Sequence, residues 1–195
     1  MQGEHHRHLA EMLVASISKV MPEVPVFHLT DGHCPTVPGT EVLRIHGAMP
    51  MGVRRVSHYI RPGEWCFVDT DVLFKKDVRP VFDKPFDVAL CSRKGTYMEG
   101  TEYAKEMPHN FGVVFSRQPE FWREVLMQLK KLPPELQEWE GEQALTGIFA
   151  KHPKYKVEIL SSAYNFTPKA RDEDVSHASI LHLKGHRKAW MSSLA

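Results

Sequence analysis

The sequence predicts a three-layer α/β fold, because short apolar segments alternate along the chain with segments that have amphipathic helical spacing. The first helix is predicted over residues 5–21, where Leu9, Leu13 and Ile17 recur at helical intervals. The chain has 195 residues, which fits one compact domain spanning 1–195. No repeat or low-complexity segment interrupts the pattern.

The remaining elements follow in order. Strands are predicted over residues 24–31, 41–47, 65–74, 86–95, 110–117, 155–166 and 177–185, with 65–74 as the central strand. Helices are predicted over 118–133 and 138–153, and Pro119 stands near a helix start, where proline is accepted. The apolar side of residues 119–132 is predicted to face the core. Residues 51–61 are ambiguous and fit one short helix, whereas 95–108 is predicted as a surface loop or a lid.

Composition narrows the class of protein. Hydrophobic residues make up 42% and charged residues 25% of the chain, as in ordinary globular proteins, and a net charge of +1 gives no case for nucleic acid. The three cysteines show neither a disulfide framework nor a metal-binding pair. No apolar run reaches the roughly 18 residues that cross a bilayer, and the N-terminus does not resemble a signal peptide. A cytoplasmic protein without a transmembrane segment is therefore predicted.

Two carboxylates interrupt the apolar segment 65–74. Asp69 and Asp71 are separated by one residue, so in a strand both would project from the same face while Thr70 points away. Two close carboxylates repel, and a divalent cation such as Mg²⁺ or Mn²⁺ removes that penalty. The alternative is that the strand has already ended and both aspartates are solvated or cap a turn.

A second motif lies over a hundred residues later. His182, Gly185 and Lys188 form the pattern H-x-x-G-x-x-K in the segment "ILHLKGHRKAW". Imidazole is a good Mn²⁺ ligand, glycine lets the backbone approach a phosphate, and lysine supplies a positive charge. Alternatively, the segment is a basic, solvated tail. Together the D-x-D and H-x-x-G-x-x-K motifs resemble those of retaining GT-A glycosyltransferases of the glycogenin and lipopolysaccharide galactosyltransferase type.

The resemblance implies a GT-A fold and assigns roles to these residues. Asp69, Asp71 and His182 are the expected ligands of Mn²⁺ or Mg²⁺, and Asp69, Thr70, Gly185 and Lys188 are expected to contact the nucleotide diphosphate. The expected donor is a nucleotide-diphosphate sugar, with a UDP-sugar first, and the acceptor is unknown. The family's first strand, whose following loop holds the nucleotide base, has no counterpart in the sequence.

The same resemblance implies three catalytic residues: Asn110 facing the sugar or the acceptor, Glu142 at the sugar hydroxyls and Gln143 near the anomeric carbon. Asn110 stands in an N-x-G strand, and Glu142 and Gln143 stand where the family has D-Q at the start of a helix. Glutamate departs from the family's aspartate, and its extra methylene shifts the carboxylate. The alternatives are a strand with a glycine bulge for Asn110 and an exposed acidic helix start for Glu142 and Gln143.

Several weaker candidates surround these motifs. Arg54 or Arg55 could be the arginine that bridges sugar and carboxylate in the family, or both could be surface residues. Arg93 and Lys94 are candidates for the acceptor side. "YNFTP" (164–168) is interpreted as structural or as a wall of the donor site.

The predicted function is metal-dependent transfer of a sugar, with retention of configuration implied by the resemblance. Metal and Lys188 would neutralise the departing diphosphate. Two alternatives remain: a sugar-nucleotide-binding protein without turnover, and another metal-dependent enzyme such as a nucleotidylyltransferase.

Overall fold

A computed structural model describes residues 6–94 and 99–195, except for the side chain of Tyr103. These residues form two compact units. The first contains the described residues up to Gly47 together with Asp69–Val78 and Ala163–Ala195, and the second contains Ala48–Val68 and the described part of Arg79–Ser162. The single domain predicted over 1–195 stays a prediction, because the compactness of each unit does not test it.

Strands and helices are distributed along the described residues. The strands are β1 Phe27–Thr30, β2 Glu41–Arg44, β3 Trp65–Val68, β4 Val72–Phe74, β5 Val88–Ser92, β6 His109–Ser116, β7 Val157–Leu160 and β8 Ile180–His182. The helices are α1 Arg7–Val20, α2 Met51–Tyr59, α3 Glu102–Glu106, α4 Pro119–Leu129, α5 Trp139–Phe149 and α6 Met191–Leu194. In the described residues α1 precedes the first strand. No helix among them is both long and apolar enough to cross a membrane.

The first unit is built on two strand pairs. β1 and β2 run parallel, whereas β4 and β8 run antiparallel. Helix α1 packs on β4, and the Phe74 backbone N–H donates a hydrogen bond to the buried hydroxyl of Ser16 at 3.0 Å. Leu9 of α1 and Leu73 of β4 meet Leu181 of β8 in the buried cluster that holds this unit together. The apolar face predicted for the first helix is therefore confirmed.

The second unit contains a four-stranded sheet in the order β3-β6-β5-β7. Strand β6 pairs antiparallel with β3 and β5, and β5 pairs parallel with β7. Helices α2, α4 and α5 pack against one another, and Phe121 and Trp122 of α4 are fully buried. The core role predicted for residues 119–132 is confirmed. A mixed α/β fold with a central sheet and flanking helices matches the predicted fold class.

The predicted central strand over 65–74 is wrong. The chain forms two strands, β3 and β4, which pair with different partners, and Thr70 and Asp71 form a turn between them. Moreover, β3 lies at the edge of its sheet. Aspartate is disfavoured in strands because its short carboxylate competes for backbone hydrogen bonds. The expectation that Thr70 points away from both aspartates by strand alternation therefore does not apply.

Three other segments differ from their predictions in extent. The predicted loop or lid over 95–108 contains helix α3, and Gly95 at its start lies outside the described residues. The predicted strand over 155–166 is shorter, because Ser162–Asn165 form a 3₁₀ turn after β7. The predicted strand over 177–185 keeps only the three residues of β8.

Candidate functional site

Strand register brings the two sequence motifs together in the first unit. In the β4–β8 pair Val72 stands opposite His182, and the Leu183 backbone N–H donates to the carbonyl oxygen of Asp71 at 2.8 Å. Asp71 directly precedes β4, so the last residue of β8 comes beside it. Asp69, Asp71 and His182 each offer a ligand atom, and these three atoms lie within 4.8 Å of one another.

The spacing of these atoms fits a small divalent cation. The Nε2 atom of His182 lies 3.1 Å from Oδ1 of Asp71 and 3.8 Å from Oδ2 of Asp69. Two neighbouring ligands at 2.0–2.1 Å from an octahedral Mg²⁺ lie about 3 Å apart. Two carboxylates and one imidazole also form a donor set that Mn²⁺ accepts. The cluster therefore suits the predicted divalent metal.

Asn165 sets the orientation of the His182 ring. Its side-chain oxygen lies 2.8 Å from Nδ1 of His182, and both residues are buried. An amide oxygen only accepts, so Nδ1 must carry a proton and donate it. A neutral ring then directs the lone pair of Nε2 toward Asp71. Burial lowers the pKa of His182 although contact with Asp71 opposes this, so the neutral ring is favoured.

Lys188 adds a positive charge beside the cluster. Its Nζ lies 3.2 Å from Oδ2 of Asp71, and about a third of its side chain, 36%, is exposed. Burial raises the pKa of Asp71, but a protonated His182 ring and Lys188 together outweigh burial and lower the pKa to about 2, and Lys188 still lowers it when the His182 ring is neutral. Asp71 is therefore ionised at neutral pH, as a metal ligand must be.

Gly185 connects β8 to the turn that carries Lys188. Its φ of +59° lies in the left-handed region, and no atom lies within 4 Å of the position a Cβ would take. The 3₁₀ turn Gly185–Trp190 begins there and directs Lys188 back toward Asp71. Glycine is thus needed for its backbone conformation. Thr70 lies half-buried in the turn between the two aspartates.

In the second unit Glu142 forms a buried ion pair with Arg55. The Nε of Arg55 donates to both carboxylate oxygens, at 2.9 and 2.7 Å, and its Nη2 lies 2.7 Å from Oε2. Glu142 is fully buried, whereas 20% of the Arg55 side chain is exposed. Two interpretations are therefore wrong: Arg55 is no surface residue, and Glu142 is no exposed helix start.

Gln143 and Asn110 are buried in the same unit. The side-chain oxygen of Gln143 accepts a hydrogen bond from Nη2 of Arg93 at 2.8 Å. Asn110 lies on β6, where the pairing with β5 shifts register between Leu90 and Cys91, so an irregularity accompanies the N-x-G pattern. Arg93 is 4% exposed, which does not fit the acceptor-side surface role considered for it. Lys94 next to it is exposed.

Comparison with known proteins adds evidence on the fold. No protein-family model matches the chain, and no curated protein matches it either. Among solved structures, the galactosyltransferase LgtC in complex with donor and acceptor sugar analogs is 13% identical, with a TM-score of 0.63 over 97% of this chain and 93% of that chain. GlyE, a glycosyltransferase of Streptococcus pneumoniae TIGR4, is 15% identical, with a TM-score of 0.68 over 97% of this chain. This chain has the fold of GT-A glycosyltransferases.

The GT-A likeness extends to a further solved structure. A glycosyltransferase involved in the glycosylation of the major capsid of PBCV-1 is 15% identical, with a TM-score of 0.58 over 97% of this chain and 92% of that chain. The match to GlyE covers only 58% of the GlyE chain. At these identities the likeness concerns the GT-A fold, and the site must be argued from its own side chains.

Two contributors were only partly visible in the sequence. The pattern did not choose between Arg54 and Arg55, because only the packing of α2 on α5 shows which side chain reaches Glu142. Asn165 was interpreted as structural or as a wall of the donor site. No sequence pattern links Asn165 to His182, because the bridge between Phe166 and Leu181 that places them side by side is a contact between distant segments.

Proposed function

We propose that the protein is a metal-dependent glycosyltransferase that uses a nucleotide-diphosphate sugar as donor, with a UDP-sugar as the first candidate. The observation that carries this proposal is the convergence of Asp69, Asp71 and His182 beside Lys188 in a chain of GT-A fold. A buried carboxylate, an oriented imidazole and an adjacent ammonium group are costly to bring together unless they bind something. A divalent cation with a diphosphate satisfies all three.

Within this proposal, the first unit binds the metal and the diphosphate. Asp69, Asp71 and His182 would hold Mn²⁺ or Mg²⁺, and the bound cation would stabilise negative charge on the leaving diphosphate. Lys188 offers a partly exposed positive charge to the same anion. Gly185 carries no side chain to obstruct the approach of a phosphate to the backbone.

Glu142, Gln143 and Asn110 are the residues that the family resemblance assigns to the sugar. Glu142 is fully buried, so in this proposal it acts by holding Arg55, whose side chain is 20% exposed. Gln143 and Asn110 complete the sugar-contacting set on the same resemblance. Retention of configuration is proposed on that resemblance as well. The acceptor is proposed to be a molecule that carries a hydroxyl group.

The test is a thermal-shift titration with UDP, GDP, CDP and ADP, each with and without Mn²⁺. A ligand that binds only the folded state stabilises it by RT ln(1 + [L]/Kd). We expect one diphosphate to raise Tm only when Mn²⁺ is present, and Asp71→Asn to abolish this shift. Asp172→Asn is the matched control, because Asp172 is an exposed aspartate of the same unit and should leave the shift unchanged.

Turnover is then measured with the matching nucleotide sugars, by release of the nucleotide diphosphate. Metal-dependent release that Asp71→Asn removes supports a transferase. If nucleotide raises Tm but no nucleotide diphosphate is released over hours in the presence of a panel of acceptor sugars, the protein binds sugar nucleotides without turnover. If neither Mn²⁺ nor any nucleotide moves Tm, the proposed function is wrong.

A further inference from the structure

Arg93 connects three segments of the second unit. It follows β5 directly, and its backbone N–H donates to the carbonyl oxygen of Pro108 at 2.9 Å. Its Nε donates to the carbonyl oxygen of Met107 at 2.7 Å, and its Nη2 donates to the side-chain oxygen of Gln143 at 2.8 Å. A planar guanidinium can make both side-chain contacts at once, which a lysine ammonium on a flexible stem cannot reproduce.

The contact with Arg93 determines which way the Gln143 amide faces. A guanidinium has donors and no acceptor, so the atom 2.8 Å from Nη2 must be the amide oxygen. The amide nitrogen of Gln143 then carries two N–H donors. No described residue accepts from this nitrogen, so a ligand oxygen would accept from its N–H groups.

Two roles for Gln143 are chemically possible at a sugar. Its carbonyl oxygen could present a lone pair to the electron-poor anomeric carbon, or its amide nitrogen could donate hydrogen bonds to oxygens of the donor. The first role is disfavoured here, because the oxygen already accepts from Arg93 and the adjacent positive charge withdraws electron density from it. The second role uses the amide nitrogen, whose N–H groups meet no acceptor in the part of the chain that the structure describes.

We propose that Arg93 is a positioning residue that fixes the Gln143 amide so that Gln143 donates hydrogen bonds to the sugar donor rather than offering it a lone pair. This rests on the proposed transferase function, since it assigns Gln143 to the donor. The acceptor-side role considered for Arg93 from the sequence is thereby replaced by a buried role as the hydrogen-bond partner of Gln143.

The decisive variant is Gln143→Glu. A carboxylate keeps an oxygen for Arg93 and removes both N–H donors, so we expect the fold to persist and kcat to fall about 100-fold, with KM for the donor changed less than threefold. If kcat stays within threefold of wild type, or if a glycosyl adduct on residue 143 accumulates in the mass spectrum, the proposal is overturned.

A double-mutant cycle tests whether Arg93 acts through Gln143. We expect Arg93→Lys to lower kcat at least tenfold in the wild-type background and less than twofold in a Gln143→Ala background. Equal losses in both backgrounds would show that Arg93 acts elsewhere, and the proposal would fail. Arg123→Lys is the matched control, because Arg123 is exposed and forms an ion pair with its helical neighbour Glu120. It should leave kcat unchanged in both backgrounds.

A measurement without turnover separates this proposal from the proposed function. Arg93→Lys should shift the ¹⁵N side-chain amide resonance of Gln143 and speed its hydrogen exchange, while the Mn²⁺-dependent nucleotide shift of Tm persists. An unchanged Gln143 amide resonance would refute the positioning role even in a protein that turns nothing over. If nucleotide and Mn²⁺ do not raise the Tm of the wild-type protein, the transferase function is instead refuted.

Discussion

At the scale of single residues, the Asn165 amide determines which nitrogen of the His182 ring keeps a lone pair for a metal ion. Asn165 is 1% exposed and is not one of the three predicted metal ligands. Its side-chain oxygen nevertheless fixes the proton of His182 on Nδ1. Partners of this kind keep a ligand ring in one tautomer and one orientation. The affinity of the cluster for a metal therefore depends on a residue outside it.

We predict that Asn165→Ala weakens Mn²⁺ binding by about 10–100-fold, because His182 loses the acceptor that holds its ring. Isothermal titration calorimetry with Mn²⁺ measures this directly. Asn165→Asp is the control, since it retains an oxygen acceptor and should bind Mn²⁺ at least as well as Asn165→Ala. Equal affinity for wild type and Asn165→Ala would contradict the role given to this amide.

The ion pair between Arg55 and Glu142 gives a second prediction at this scale. Glu142→Gln leaves the Arg55 charge partly buried without its counter-charge, so we expect a loss of about 2–4 kcal/mol in the free energy of unfolding. Urea denaturation measures it. Glu120→Gln removes the acid from an exposed pair and should cost less than about 1 kcal/mol. Losses of similar size would mean that burial does not matter for the Arg55 pair.

Sequence reasoning identified the metal-ligating set at this scale but not its supports. Asp69, Asp71 and His182 are the ligands that the family resemblance implies; they converge in the structure, and the ion binding itself stays a prediction. Arg55 and Arg93 were noted only as candidates. Their partners lie far along the chain, and a pattern of neighbours carries no information on which side chains meet across packed elements.

At the scale of elements, two glycines of α5 face different surroundings. A Cβ at Gly141 would lie 1.9 Å from the carbonyl oxygen of Leu136, whereas a Cβ at Gly147 would meet nothing within 4 Å. Both lie in the same helix, so intrinsic helix propensity favours alanine equally at the two positions. Only the surroundings distinguish them.

We predict opposite effects for the two alanine substitutions. Gly141→Ala should destabilise the protein by about 1–3 kcal/mol or more, because the backbone at Leu136 must move. Gly147→Ala should stabilise it by about 0.5–1 kcal/mol, because glycine loses more backbone entropy in a helix. The free energies of unfolding from urea titrations give both values. Changes of the same sign would contradict the close approach at Gly141.

The existence of most elements could be predicted, while their ends and pairing could not. Apolar spacing identified α1, α4 and α5 because each buries one face. The break between β3 and β4 is not predicted, because the apolar residues on both sides of residues 69–71 fit one interrupted strand as well as two strands. The pairing of strands depends on contacts between residues that are distant in sequence. A run of apolar residues predicts a strand but does not identify its partner.

At the scale of the whole molecule, buried histidines link stability to pH. Burial is the main cause that lowers the pKa of both His28 and His109 below the ordinary value of 6.5. Below about pH 6.5 the unfolded chain therefore binds protons that the folded protein does not, so stability rises with pH in that range. Above pH 6.5 both states are deprotonated and this contribution is complete.

We predict that the free energy of unfolding decreases as pH falls from 7.5 to 5.5, and that His28→Asn combined with His109→Asn flattens this dependence. Urea denaturation at four pH values in this range measures the slope. His8→Asn, at an exposed position of α1, serves as the control and should leave the slope unchanged. An equally steep slope in the double variant would show that other groups cause the dependence.

The pairing of β4 with β8 also bears on the life of the protein before folding is complete. Asp71 and His182 are separated by over a hundred residues of chain, and each needs the other strand to be held in place. On a translating ribosome, Asp69 and Asp71 emerge long before their partners, and no three-ligand site can exist until residues 180–188 have left the exit tunnel. A nascent chain arrested before residue 180 should therefore bind Mn²⁺ no better than two neighbouring carboxylates do.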